Sequence, residues 1–286
     1  MTSLFEFIER PDLESPVFLI GLDGWIDAGL GASQAVASIL SSAEMTTVAT
    51  FDTDTLLDHR ARRPTLHIED GMNTGLTWPS IELRIVIDQR GNEALFLMGA
   101  EPDHQWRAFS KAAVDLAMEF GSQLVVGLGA YPAATPHTRP TKVVSTATTR
   151  ELADLVGHLD GTAEVPAGVQ AAIERRCLEV GIPSVGLWAQ VPHYAAAMPY
   201  PAAAVALLES IEQVAGLHFD REELVEEARG GIERLSLLVQ GNPEHVEMVE
   251  QLERHVDALN EAERNDLPSG DELAEELQRF LRDQDT

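Results

Sequence analysis

The residues with the most chemical potential in this chain are Tyr131, His137 and Arg139. They lie in the segment Gly127-Leu128-Gly129-Ala130-Tyr131-Pro132-Ala133-Ala134-Thr135-Pro136-His137-Thr138-Arg139-Pro140. An arginine offers a two-pronged donor to a carboxylate or phosphate, and a histidine two residues away adds a titratable donor, so the pair could hold an anion. The same groups could instead pin a loop to the body of the fold, and residue type alone does not separate these readings. Three prolines and two glycines in fourteen residues predict a long, stiff, shaped loop rather than regular structure. It follows the apolar run Leu124-Val125-Val126, which reads as a buried strand. Loops that leave the carboxyl ends of strands in an open α/β sheet build its ligand crevice.

Other motifs also carry residue types that could do chemistry. Gly21-Leu22-Asp23-Gly24-Trp25-Ile26-Asp27-Ala28-Gly29 follows an apolar strand and opens a helix, where glycines could admit a phosphate. The spacing is neither Gly-x-Gly-x-x-Gly nor a P-loop, and no lysine stands nearby, so Asp27 reads equally well as a helix cap. Glu101-Pro102-Asp103 opens a later helix, with Asp103 expected as its N-cap and Glu101 facing the crevice. His104 with His137 or His193 has no metal-ligand spacing, and no Gly-x-Ser-x-Gly elbow is present. No cofactor or metal is expected. Cys177 lies in a helical pattern beside Arg175 and Arg176 and is expected to be a packed, inert thiol.

The elements that position these residues alternate. Val17 to Leu22 is a strand, followed by a small-residue helix to about Ser41 and a β-branched strand from Thr46 to Phe51. Leu83 to Ile87 and Ala94 to Met98 flank Asp88-Gln89-Arg90-Gly91-Asn92-Glu93, a hairpin signal. A helix from Asp103 to Phe120 leads to a strand from Gln123 to Leu128. A short strand from Val143 to Thr146, a helix from Val169 to Val180, a strand from Ser184 to Ala189 and a helix from Ala202 to Val214 follow. This order predicts an α/β protein with helices on both faces of a mixed, largely parallel sheet.

At about residue 216 the character changes. Residues 1–216 carry 27 acidic residues against 13 Lys and Arg, whereas 217–286 carry 20 against 7 in a third of that length. The division expected is an α/β domain over 1–216 and an acidic all-helical appendage over 217–286. There Val246, Val249, Leu252, Val256 and Leu259 form a short heptad-like seam, and Leu273, Leu277, Phe280 and Leu281 repeat the pattern. Such a seam predicts packing on the body or on another subunit, and a homo-oligomer, trimer or dimer, is expected.

Net charge bounds the partners. At −27 the chain as a whole repels nucleic acid and anionic membranes, although Arg60, Arg62 and Arg63 make one local basic patch. The single cysteine allows no intrachain disulfide, and no run approaches a membrane span or a secretory leader, which together predict a cytoplasmic protein.

Four motifs in order carry a resemblance to a known family. Gly24-Trp25-Ile26-Asp27-Ala28-Gly29, Gly99-Ala100-Glu101-Pro102, Gly129-Ala130-Tyr131-Pro132 with Pro136-His137-Thr138-Arg139-Pro140, and Val191-Pro192-His193-Tyr194 resemble the PAC2 family, that of proteasome assembly chaperone 2, in an actinobacterial form. The resemblance implies a phosphorylase/hydrolase-like α/β/α sandwich and a chaperone-type, non-enzymatic role in proteasome assembly, with proteasome subunits as partners. An enzyme of phosphorylase or hydrolase type, acting on a small anionic substrate in the crevice, is the alternative. The candidate cleft is Trp25, Asp27, Glu101, Tyr131, His137, Arg139, His193 and Tyr194.

Overall fold

The computed structural model describes residues 4–24, 26–159 and 161–266. Trp25 and the repeat Leu273, Leu277, Phe280 and Leu281 lie outside the described residues. In chain order the elements are β1 (Phe5–Phe7), β2 (Val17–Asp23), α1 (Gly31–Ser42), β3 (Glu44–Phe51), α2 (Thr53–Leu56), β4 (Thr65–Glu69), β5 (Met72–Thr77), β6 (Ile81–Ile87) and β7 (Glu93–Ala100). They continue with α3 (Trp106–Glu119), β8 (Val125–Ala133), β9 (Val143–Ala147), α4 (Arg150–Val156), α5 (Val169–Val180), β10 (Ser184–Pro192), α6 (Pro201–Ala215), α7 (Glu222–Gln240) and α8 (Pro243–Asp266).

One sheet runs in the order β1-β3-β6-β7-β2-β8-β10-β9. Its centre, β7-β2-β8-β10, is parallel, and the flanking pairs are antiparallel, including the expected β6–β7 hairpin. Side chains alternate across the strands and so feed two cores. Leu19, Phe96, Val126, Leu128, Leu187 and Ala189 pack with Ala35, Ile39, Leu207 and Ile211 of α1 and α6. Phe18, Ile20, Leu95, Leu97 and Val125 pack on the opposite face with Phe109, Val114, Val169, Ile173 and Cys177 of α3 and α5. The result is the α/β/α sandwich.

The helical end of the chain is tied to this body. Leu217 and Phe219 are buried in the α1–α6 core, and Leu224, Ala228, Leu235 and Val239 bury one stripe of α7. On α8, Val249 is buried, Val246, Leu252 and Val256 are half-buried, and Leu259 is exposed. The seam, expected to pack on the body or on another subunit, lies beside α7 of its own chain with Leu259 left exposed.

Three expectations are corrected. Gly127 to Pro140 is not all loop, because β8 continues to Ala133 with β10 paired alongside, up to Pro192 opposite Ala133. Beyond Gly127 the β2 edge of β8 is open except for a bridge from Ala130 to Asp27, so a proline without an N–H is tolerated at 132. Asp103 is not the N-cap of α3. Gln105, in the left-handed region at φ 56°, precedes that helix, while Asp103 accepts the Asp58 N–H at 2.8 Å and meets Arg62 at 3.3 Å. The N–H groups of residues 103 and 104 both donate to Leu56 O, which holds this turn against α2 instead. Third, β4 and β5 form a separate two-stranded hairpin in a stretch where no element was expected.

Candidate functional site

The carboxyl ends of β2, β8 and β10 open into a cavity of about 670 Å³, bordered by α5 and by residues at the start of α1. Two glycines shape its wall. A Cβ at Gly127 would stand 2.3 Å from the Gln170 amide, and one at Gly129 2.3 Å from the Trp188 ring. Side chains from α5 and β10 thus lie directly on the β8 backbone. Leu22, Leu128 and Val144 supply apolar wall, and residues 163–168, leading into α5, close one side.

Three of the sequence candidates come together here: Asp27, Glu101 and Tyr131. Each already has a structural partner. Asp27 accepts from the Ala32 N–H at 2.8 Å, the Ser33 N–H at 2.9 Å and the Ser33 hydroxyl at 2.6 Å, so its carboxylate organises the first turn of α1. Leu30, just before that turn, is left-handed, at φ 55°. Glu101 is 7% exposed and its Oε1 accepts the Val169 N–H at 2.6 Å, so it occupies the anion slot at the start of α5. The Tyr131 hydroxyl accepts from Gln190 Nε2 at 3.0 Å, and burial raises its pKa.

Sequence reasoning did not find Glu174, Thr146, Gln170 and Trp188. The Thr146 hydroxyl donates to Glu174 Oε2 at 2.8 Å and accepts from Trp188 Nε1 at 3.1 Å. Burial pushes the Glu174 pKa up, and the Thr146 bond partly offsets it. Asp23, at the end of β2, is likewise raised by burial. The lining contains carboxylates and, among the described residues, no Lys, Arg or His. An anionic substrate placed there would meet only like charge.

The other candidates face elsewhere. The loop after β8 turns toward α7 and α8. His137 is 2% exposed, with Nδ1 2.7 Å from the Tyr194 hydroxyl, which also accepts the His137 N–H at 3.0 Å. Nε2 of the same ring lies 3.0 Å from Ser236 Oγ on α7. The Arg139 guanidinium grips Asp257 of α8 with two bonds, 2.8 and 2.7 Å, and reaches Glu253 at 3.3 Å. His193 is exposed in the turn after β10, edge-on to Tyr194. Burial pushes the Tyr194 hydroxyl up to about 12, and the buried Cys177 thiol up to about 11. The loop residues thus clamp the helical end of the chain to the sheet.

Burial also lowers the His137 pKa from 6.5, with Glu253 pulling the other way, so the fold favours the neutral ring. A depressed folded-state value means that this group's stabilisation is present in full above about pH 6.5 and is lost as pH falls through the lower folded value. Hydrogen exchange in α7, corrected for intrinsic rates, should quicken as pH drops from about 7.5 to about 5. His137→Gln should remove that step. Unchanged protection across the range in the wild type would refute it.

The PAC2 family profile matches residues 21–238. A protein of unknown function from Corynebacterium glutamicum is 30% identical with a TM-score of 0.84, covering 90% of this chain and 98% of its own. A Mycobacterium tuberculosis protein of unknown function is 33% identical with a TM-score of 0.84, covering 93% and 92%. The M. tuberculosis proteasome-assembly chaperone homologue is 29% identical with a TM-score of 0.75, covering 82% and 99%. No curated protein matches the chain.

Proposed function

The chain belongs to the PAC2 family, and from that premise we propose that it is a non-enzymatic, chaperone-type interaction protein of the cytoplasm that acts on proteasome subunits and works as a dimer or trimer. The observation that carries this reading is the β4–β5 hairpin. Leu66, Ile68, Met72 and Leu76 on it, and Trp78 just after it, are about half exposed or more, from 47% to 69%. A two-stranded ribbon is marginal in water on its own, and clustered exposed apolar side chains mark interaction surfaces. Exposed Arg60 and Arg63 precede it and exposed Glu69 and Asp70 stand at its turn, so charges of both signs flank the apolar side chains. The 29% identity to a proteasome-assembly chaperone homologue supports the choice of partner. The clamped state of His137, Arg139 and Tyr194, and the buried thiol of Cys177, favour structural over catalytic roles for these groups.

Among the described residues no helix is long and apolar enough to cross a membrane. Light scattering at micromolar concentration should give a dimer or trimer mass. Mixed with proteasome α and β subunits, the chain should shift them on native gels and change the rate of core-particle formation. Ile68→Asp with Met72→Asp should abolish the shift while leaving the fold intact. A monomer that leaves assembly unaltered would end this reading.

A further inference from the structure

The cavity beside α5 holds a carboxylate with no counter-ion. Glu174 is half-buried, its Oε2 is held by the Thr146 hydroxyl, and the lining contains no Lys, Arg or His among the described residues. Partial burial raises the pKa of this carboxyl, and a cation beside it would favour the ionised form. Glu101, nine-tenths buried in the same wall, uses Oε1 on the Val169 N–H, and its Oε2 has no protein hydrogen bond among the described residues. Because Glu101 already fills the helix N-terminus, the positive end of α5 leaves no place for an anion. The rest of the wall is apolar, as at Leu22, Leu128 and Val144, and about 670 Å³ is ordinary for a small-molecule site.

We propose that this cavity binds a small amphipathic cation, an ammonium or guanidinium head paired with Glu174 and Glu101 and an apolar body against Leu22, Leu128 and Val144. The head supplies the missing counter-charge and donors for the free carboxylate oxygens, while the body displaces water from the apolar wall. This inference is independent of the chaperone reading and stands or falls on ligand binding by the isolated chain.

The test uses three chains of one length, octylammonium, octanoate and octanol, titrated calorimetrically into the full chain at neutral pH, with melting temperature measured in parallel. Octylammonium should bind at one site and raise the melting temperature, with octanoate and octanol at least about tenfold weaker. Glu174→Gln should cost octylammonium about tenfold or more in affinity and leave octanol unchanged. The comparison of the three ligands on the unaltered chain decides the matter even if that variant fails to fold. Equal binding of octanol or octanoate, no binding of octylammonium, or full affinity in a folded Glu174→Gln variant would each overturn the assignment.

Discussion

Gly99→Ala is expected to lower stability by about 3 kcal/mol or more, roughly 6–12 °C in melting temperature for a chain of this size. Gly99 sits at φ +112°, a conformation closed to residues with a Cβ, and that Cβ would stand 2.1 Å from Ser80 O. Ser80 O cannot easily move, because it accepts the Ala100 N–H at 3.0 Å where β6 meets β7. Glu101 follows two residues later, so the forced backbone shift should also pull its carboxylate off the Val169 N–H and loosen the first turn of α5. Thermal unfolding together with hydrogen exchange at residues 169–172 would read both effects. Gly75→Ala is the control. It lies in the exposed hairpin with open space around its Cβ position, and should change stability by less than about 0.5 kcal/mol. Equal melting temperatures for the two variants would show that the turn at 99 is not held by backbone contact.

The second large effect is at the clamp. His137→Ala should cost about 2–4 kcal/mol, since it empties a buried site and strips partners from the Tyr194 and Ser236 hydroxyls. Arg139→Ala should behave differently. Its ion pairs with Asp257 and Glu253 are at the surface, where salt bridges contribute little to global stability, but they are the grip on α8. Its melting temperature should stay near that of the wild type while exchange over residues 243–262 accelerates, and the sheet should remain protected. Loss of His137 should instead expose α7 and α8 together. If Arg139→Ala left α8 protected, the clamp would be assigned to the wrong residue. If it abolished binding of a partner with α8 still protected, Arg139 would act as a contact rather than an anchor.

These outcomes bear on how the two polar clusters divide. The loop after β8 ties the helical end of the chain to the sheet, and the cavity lies on the α5 side. Asp27, Glu101 and Tyr131 belong with the cavity, and His137, Arg139 and Tyr194 with the clamp. The four family motifs therefore serve two jobs in the fold.

What the sequence by itself determined is the local order. The apolar runs at Val17 to Leu22 and Ser184 to Ala189, the β6–β7 hairpin and the helix Val169–Val180 are all legible, because hydrophobic period and turn chemistry act over a few residues. Placement of the chemistry was decided only by the tertiary structure. Proline content at 132, 136 and 140 argued for a loop, but the pairing of β10 along β8 carried the strand past the first of them. His137 and Arg139 suited an anion site or an anchor equally until α7 and α8 supplied Ser236, Glu253 and Asp257, about 100 residues and more downstream. Glu174 reads as an ordinary polar residue on an amphipathic helix. It packs against the sheet because Gly186 on β10 has no side chain: a Cβ there would lie 3.1 Å from Glu174 Oε2 and 2.7 Å from Thr146 Oγ1. A cavity of this kind depends on which strands lie side by side and which face each residue takes, and a one-residue change of register would turn the side chains of the slipped strand, such as Thr146 or Trp188, to the other face.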